Sequence, residues 1–265
     1  MIGIRPTNLS ETEMKYEILK DEFTEFDDRK LYRIKALKDF RDVKEGEFGG
    51  YIESEQNLSQ EGNAWVSGNA RVSGNARVYG NAQVYGNARV SDDAWVYGDA
   101  QVYGDACVYG DAWVSGDAWV YGDACVYGDA WVYGNAQVYG NARVYGDAWV
   151  SGNAQVYGNA RVYGDAQVYG DAQVAGDAQV AGDAQVLNRH SVVWFSNVGT
   201  ENGTLTVYCG KNGLIATRGC LTGSVEEFLD KSAKVHDEKT KREYELLIEV
   251  ARSRLKEAQG NIGSE

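Results

Sequence analysis

Between residues 62 and 186, apolar and polar positions recur with a fixed six-residue period. The phrase Gly-(Asn/Asp)-Ala-x-Val-(Tyr/Ser) recurs twenty-one times without an insertion, departing only at Asp92 in the glycine place and at Ala175, Ala181 and Leu187 in the sixth, and valine falls at 66, 72, 78 and every sixth residue to 186. Ala and Val stand two apart, so in an extended segment both point to one face and x points to the other. The inward set is Ala64, Val66, Ala70, Val72 and their equivalents, and the outward set is Trp65, Arg71, Arg77 and theirs. Gly-Asn or Gly-Asp then turns the chain, because glycine accepts positive φ and Asn or Asp can bond the local backbone. Asp92 is the one corner without glycine, where strain or a different winding is expected. Such repetition predicts a solenoid, each phrase one strand stacked on its neighbours.

The outward residue sets the number of phrases per turn, because stacked strands tend to place like side chains over like. Identical outward pairs number five of twenty at a lag of six residues, five of nineteen at twelve, and ten of eighteen at eighteen. Three phrases per coil follow, giving a triangular prism of seven coils over residues 61–186. At a strand spacing of ~4.8 Å the prism is roughly 34 Å long.

The repeated A-x-V-Y-G-D phrase resembles the hexapeptide-repeat superfamily, which implies a left-handed parallel β-helix of eighteen residues per coil. The segment Gly46-Glu-Phe-Gly-Gly-Tyr-Ile-Glu-Ser-Glu-Gln-Asn-Leu-Ser59, running into Gly62-Asn-Ala-Trp-Val66, resembles the lead-in of the YdcK-like branch, found in bacteria and prophages. The resemblance covers residues 31–186.

A β-helix exposes a raw strand edge at each end, so caps are expected. Residues 1–60 read as an N-terminal β-hairpin and lead-in cap, with strands over 15–19 and 30–37 around an acidic turn at Asp27-Asp28, then a lead-in over 42–59. Residues 187–265 read as a C-terminal α+β cap. A three-strand meander spans 191–197, 203–209 and 213–218, and the capping box Ser224-Val-Glu-Glu227 opens a helix. After a break at His236-Asp237, a second helix over 240–258 carries Tyr244, Leu247, Ile248, Ala251 and Leu255 on one stripe. This tail resembles those of phage and prophage hexapeptide proteins. The fold class is mainly β.

Charge narrows the partners. The net charge of -13 is concentrated in residues 61–186, with fourteen acids against five bases, whereas residues 187–265 balance eleven against eleven. Direct binding to nucleic acid or an anionic membrane is therefore not expected. No apolar run reaches membrane-spanning length, residues 1–7 lack a secretory pattern, and four cysteines without a pairing pattern suit a reducing cytoplasm.

Folding the outward residues at eighteen gives three faces. One reads Arg77, Trp95, Trp113, Trp131, Trp149, Gln167, Gln185, and four successive indoles form an apolar stripe. Such a stripe reads as an interaction or oligomer surface, as mutual shielding within the solenoid, or as a remnant of duplication. The corner before it reads Asn75, Asp93, Asp111, Asp129, Asp147, Asp165, Asp183. Each Asp would bond its own turn; the other readings are a charge rail for a basic partner or an edge for a hard cation. A second face reads Arg71, Arg89, Cys107, Cys125, Arg143, Arg161, Gln179, its arginines seeking an acidic partner or a docked subunit. The third, Trp65, Gln83, Gln101, Trp119, Gln137, Gln155, Gln173, reads as a solvated glutamine ladder with two isolated indoles.

The leading expectation is a non-enzymatic binding or assembly protein of phage or prophage type, cytoplasmic, or in the host cytoplasm if phage-encoded. Trp95, Trp113, Trp131 and Trp149, with Asp93, Asp111, Asp129 and Asp147, would engage a protein partner or a second copy in a homo-oligomer. A counter-defence role and a small nucleotide ligand are further readings; no cofactor and no metal are expected. The superfamily resemblance implies the alternative, an acyltransferase with an acyl-CoA site between subunits and a catalytic histidine on a loop protruding from the coils. The two histidines, His190 and His236, lie outside the coils, so no catalytic residue is carried over.

Overall fold

The structure, a computed structural model, describes residues 14–260. Residues 1–7, read above for a leader, lie outside the described residues.

The repeats wind as a parallel β-solenoid with an eighteen-residue turn: Val108 pairs with Val126, and Val126 with Val144. The three expected faces are three parallel sheets. The inward positions are sealed, every repeat Ala and Val from Ala64 to Val186 being at most 1% exposed. Eight strands rather than seven stack on the arginine face, because β3 (Phe48–Ile52) pairs Tyr51 with Arg71 and Ile52 with Val72. Leu58 likewise bridges to Val78. The lead-in is thus itself a turn, and the solenoid has about eight.

At the corners the repeat glycines hold φ between 62° and 75°. Where the turn bond forms, as from the Ala82 N–H to the Tyr79 carbonyl at 3.4 Å, positive φ at the glycine alone matches a type II′ turn. Space enforces glycine as well as φ: a Cβ on Gly98 would lie 2.9 Å from the amide nitrogen of Gly116 on the next turn. Asp92 winds as its glycine neighbours do, at φ 61°, and the Gly110 N–H donates to its Oδ2 at 3.2 Å. The expected change of winding does not occur, but the residue sits in a region that disfavours side chains.

Before the solenoid, β1 (Tyr16–Phe26) and β2 (Arg29–Ala36) form the hairpin, with positive φ at both Asp27 and Asp28. That conformation is the type I′ pattern of two-residue hairpin turns. β1 is longer than the predicted 15–19 because its polar second half pairs with β2 out to Phe26–Arg29. The hairpin joins β3 and so extends the arginine face.

After the solenoid the meander has four strands, Val192–Val198, Gly203–Gly210, Gly213–Arg218 and Leu221–Ser224. The fourth is short and follows a tight turn at Gly219 (φ 60°), so its pattern was too brief to read as a strand. Both arms of the capping box form: the Glu227 N–H donates to Ser224 Oγ at 3.1 Å and the Ser224 N–H to Glu227 Oε2 at 3.0 Å. They open α1 (Val225–Val235). Asp237 Oδ1 accepts from the Thr240 N–H at 2.9 Å at the start of α2 (Glu238–Gly260). Tyr244, Ile248, Ala251 and Leu255 bury their stripe with Leu205, Val207, Val225 and Phe228 in a second core. Among the described residues no helix is long and apolar enough to cross a membrane.

Candidate functional site

Register alone builds the tryptophan ladder. Position x points outward, and in-register pairing sets Trp95 against Trp113, Trp113 against Trp131, and Trp131 against Trp149. The ring centroids lie 5.2, 4.7 and 5.2 Å apart, with planes within 4°, 2° and 7° of parallel. The Arg77 guanidinium closes the foot of the stack, 5.4 Å from the Trp95 ring. Each aromatic pair of this kind stabilises by about 0.5–1.5 kcal/mol beyond its buried area. Mutual shielding is therefore real, yet incomplete: Trp131 and Trp149 remain 36% and 40% exposed.

Beside the ladder runs the acidic edge. Asp93, Asp111, Asp129 and Asp147 are all exposed, each two residues before its tryptophan. The Asn corners bond across turns, each amide reaching the corner above it. Asn63 donates to Asn81 at 3.0 Å and Asn81 to Asp99 at 3.2 Å; Asn75 donates to Asp93 at 3.0 Å. An Asn can therefore relieve the carboxylate above it. On the other two corners Asn recurs, as at Asn135, Asn153, Asn141 and Asn159, which form the same cross-turn bonds. From Asp93 to Asp183 the edge beside the ladder has no such donor in its column. Among the described residues no group of three or more His, Cys, Asp or Glu is placed to hold a metal ion.

Three outward residues meet the N-terminal cap, and one of them is buried by it. Trp65 is 2% exposed, edge-on to Phe40 at 5.3 Å and Tyr16 at 6.3 Å, because the N-terminal cap covers its turn. Arg71 and Arg89 engage the hairpin tip of the same chain, their guanidinium groups 5.1 and 5.4 Å from the Phe26 ring. Between Arg89 and Arg143, Cys107 and Cys125 are paired in register, both half-buried and free. The Cys107 thiol donates to the Asp105 carbonyl at 3.6 Å and the Cys125 thiol to the Asp123 carbonyl at 3.8 Å. The neighbouring Cys125 thiol and then Arg89 hold Cys107 below the usual thiol range, while the Cys107 neighbour raises Cys125. His190 is exposed, with its N–H donating to Asn188 Oδ1 at 2.8 Å.

The sixth position of the phrase, where Tyr and Ser alternate, holds a feature that attention to x alone missed. Tyr85, Tyr103, Tyr121, Tyr139 and Tyr157 form one stack, with centroids 4.7 to 5.0 Å apart, and Tyr109, Tyr127, Tyr145 and Tyr163 form another. The same eighteen-residue lag, applied at this position, would have found both. On the corner after the tryptophan face the column is broken: it reads Tyr79, Tyr97, Ser115, Tyr133, Ser151, Tyr169. Tyr79, Tyr97 and Tyr133 set their rings edge-on to Trp95, Trp113 and Trp149 at 5.9, 6.1 and 6.5 Å. Burial pushes the Tyr79 phenol up to about 12. At Ser151 the break opens a cavity of about 230 Å³ lined by Tyr133, Trp149, Ser151, Gln167 and Tyr169.

These features define a class: a parallel β-solenoid of eighteen-residue turns, capped at both ends and bearing stacked aromatic columns. The family model for the YdcK beta solenoid repeat matches residues 64–80, 70–83, 82–98, 100–116, 136–152 and 154–170. The repeat segment of the chain is thus of the YdcK beta-solenoid type, and the structure winds it as such a solenoid. No curated protein matches it.

Proposed function

We infer that this protein is a non-enzymatic binding scaffold, in which the rigid solenoid presents the tryptophan ladder and its acidic edge to a protein partner or a second copy. One observation carries the reading: four indoles are held in register and still offer exposed ring surface, directly beside a corner column of six successive acids of which only Asp93 has an Asn donor below it. A preorganised aromatic strip loses little conformational entropy on docking, and aromatic anchors dominate protein interfaces. The flanking carboxylates would steer a basic rim on the partner toward the strip.

The test has two stages. Sedimentation of the pure protein over a concentration series reads self-association directly. Capture from bacterial lysate, followed by purification of whatever is retained, supplies a partner whose Kd is measured against wild type and a Trp113→Asp/Trp131→Asp variant. Both substitutions point outward from a turn whose Ala and Val core they leave untouched. Self-association or partner affinity should fall at least tenfold; a folded variant that binds or assembles as wild type does would overturn the reading.

A further inference from the structure

We propose that the break at Ser151 is a slot for a single phenol ring, the side chain of a tyrosine on a bound polypeptide. The inference rests on the scaffold reading only for the source of the ring; the slot itself stands on its own geometry. Tyr133 and Tyr169 lie two turns apart on one corner, so their rings are separated by roughly 9.6 Å at the strand spacing of ~4.8 Å. A ring inserted midway would sit ~4.8 Å from each. That is the spacing at which the uninterrupted column from Tyr85 to Tyr157 stacks its own phenols, 4.7 to 5.0 Å. Ser151, only 8% exposed, forms the floor, and its small side chain leaves the cavity of about 230 Å³.

The rim selects a phenol over a plain phenyl ring. In the intact column the Tyr85 hydroxyl donates to Gln101 Oε1 at 3.1 Å, a partner sixteen residues ahead on the next turn. Sixteen residues ahead of Ser151 stands Gln167, which lines the slot. A phenol in the place a tyrosine at 151 would occupy finds there the same amide that Tyr85 finds. On the same face, one turn below Gln167, Trp149 is already held edge-on by Tyr133 at 6.5 Å, which fixes that wall. The slot therefore offers two stacking faces, a fixed indole and one hydrogen-bonding amide, which together describe a missing tyrosine.

The test uses the full-length protein and N-acetyl-tyrosinamide, N-acetyl-phenylalaninamide and p-cresol as probes, read by saturation-transfer NMR and titration. N-acetyl-tyrosinamide should bind with a Kd on the order of 1 mM, as befits a single ring. Ser151→Tyr fills the slot from within, on a backbone that already carries tyrosine one turn either side, and should weaken the probe by more than about tenfold. Gln167→Ala should erase the preference for tyrosinamide over phenylalaninamide. Equal binding to wild type and the Ser151→Tyr protein, or no preference for phenol over phenyl in wild type, would overturn the slot. Binding of p-cresol without N-acetyl-tyrosinamide would overturn the polypeptide source. The scaffold reading fails separately: a partner indifferent to Trp113→Asp/Trp131→Asp removes the ladder, whatever the probes show.

Discussion

The two ends of the solenoid each present unpaired strand-edge groups, and the two caps meet them with different side chains. Within the stack each turn donates N–H groups to carbonyls of the next, as Trp65 does to Ala82 and Arg77 to Ala94, both at 2.9–3.0 Å. The parallel pairing of Trp65 with Gln83 and Val66 with Val84 returns bonds in the other direction, so each end of the stack is left with both N–H and C=O groups to satisfy. At the start the chain supplies donors. Lys15 Nζ donates to the Ala64 carbonyl at 2.8 Å, the Tyr16 hydroxyl to Leu58 at 2.7 Å, and Asn57 Nδ2 to Gly74 and Ala76 at 3.0 and 2.9 Å. At the finish hydroxyls of the meander serve, and Tyr208 donates to the Ala181 carbonyl at 3.1 Å as well as accepting. The Gln179 N–H donates to Thr206 Oγ1 and the Ala181 N–H to the Tyr208 hydroxyl, both at 3.0 Å. A cap on this fold must pair edge groups of both kinds as well as cover apolar surface, since a buried unpaired group costs about 1–3 kcal/mol.

The middle of the stack sets the scale against which the ends are measured. Val126 is fully buried with a valine above and below it in register. Val126→Asp would place an unpaired carboxylate in that dry interior and should cost about 3–5 kcal/mol. Urea unfolding at neutral pH reads it; a loss under about 1 kcal/mol would mean that the interior admits water.

At the ends smaller and local losses are expected. Tyr208→Phe removes the acceptor of the Ala181 N–H and the donor to the Ala181 carbonyl, at a cost of about 1–3 kcal/mol. Hydrogen exchange should quicken at the Ala181 amide while amides of the central turns keep their protection; a uniform acceleration would deny the cap a local role. Lys15→Met at the opposite end strands the Ala64 carbonyl at a similar cost, about 1–3 kcal/mol, but differs in pH dependence. Burial pushes Lys15 from 10.5 down to about 8, so between those values the unfolded chain binds more protons than the native one. Stability should then rise with pH from 8 toward 10, and the rise should vanish in Lys15→Met. Above pH 10 the Tyr16 phenol, raised by burial, acts in the opposite sense, so the comparison belongs below it. An unchanged slope in the variant would show that Lys15 is not the group responsible.

How much of this was legible depended on which residues repeat. Strand positions, inward faces and three phrases per turn follow from Ala, Val and x, because a register fixed every eighteen residues turns sequence identity into spatial stacking. The indole column at Trp95–Trp149 came with it. What did not repeat was harder to read. Trp65 has the same local sequence as the exposed tryptophans, and only the distant Tyr16 and Phe40 bury it. The capping donors and acceptors are single residues such as Lys15 and Thr206, whose partners lie across the fold and leave no periodic trace. The slot at Ser151 lay in plain view, as an interruption in a column at the sixth position rather than at x.

The smallest effect lies between the two ends, at the corner where a side chain replaces glycine. Asp92 holds φ 61° and recovers part of the cost by accepting the Gly110 N–H at 3.2 Å. The left-handed conformation costs an ordinary residue about 1–2 kcal/mol, less for Asp, while an exposed hydrogen bond returns about 0.5–1.5 kcal/mol. Asp92→Gly should therefore stabilise slightly, by about 0.5 kcal/mol, once the conformational freedom glycine adds to the unfolded chain is set against the relief. The reverse change at a regular corner, Gly98→Asp, meets the same conformational cost plus the approach of a Cβ to 2.9 Å from the Gly116 nitrogen, and should destabilise by about 1–2 kcal/mol. Urea midpoints of the two variants settle the balance. If Asp92→Gly lowers the midpoint, the bond to Gly110 outweighs the backbone strain, and corner carboxylates bind their upper neighbours more strongly than an exposed contact should. That outcome would also change how the acidic edge is read, because Asp93 and its column would then be held by the backbone beside them and less free to meet a basic partner.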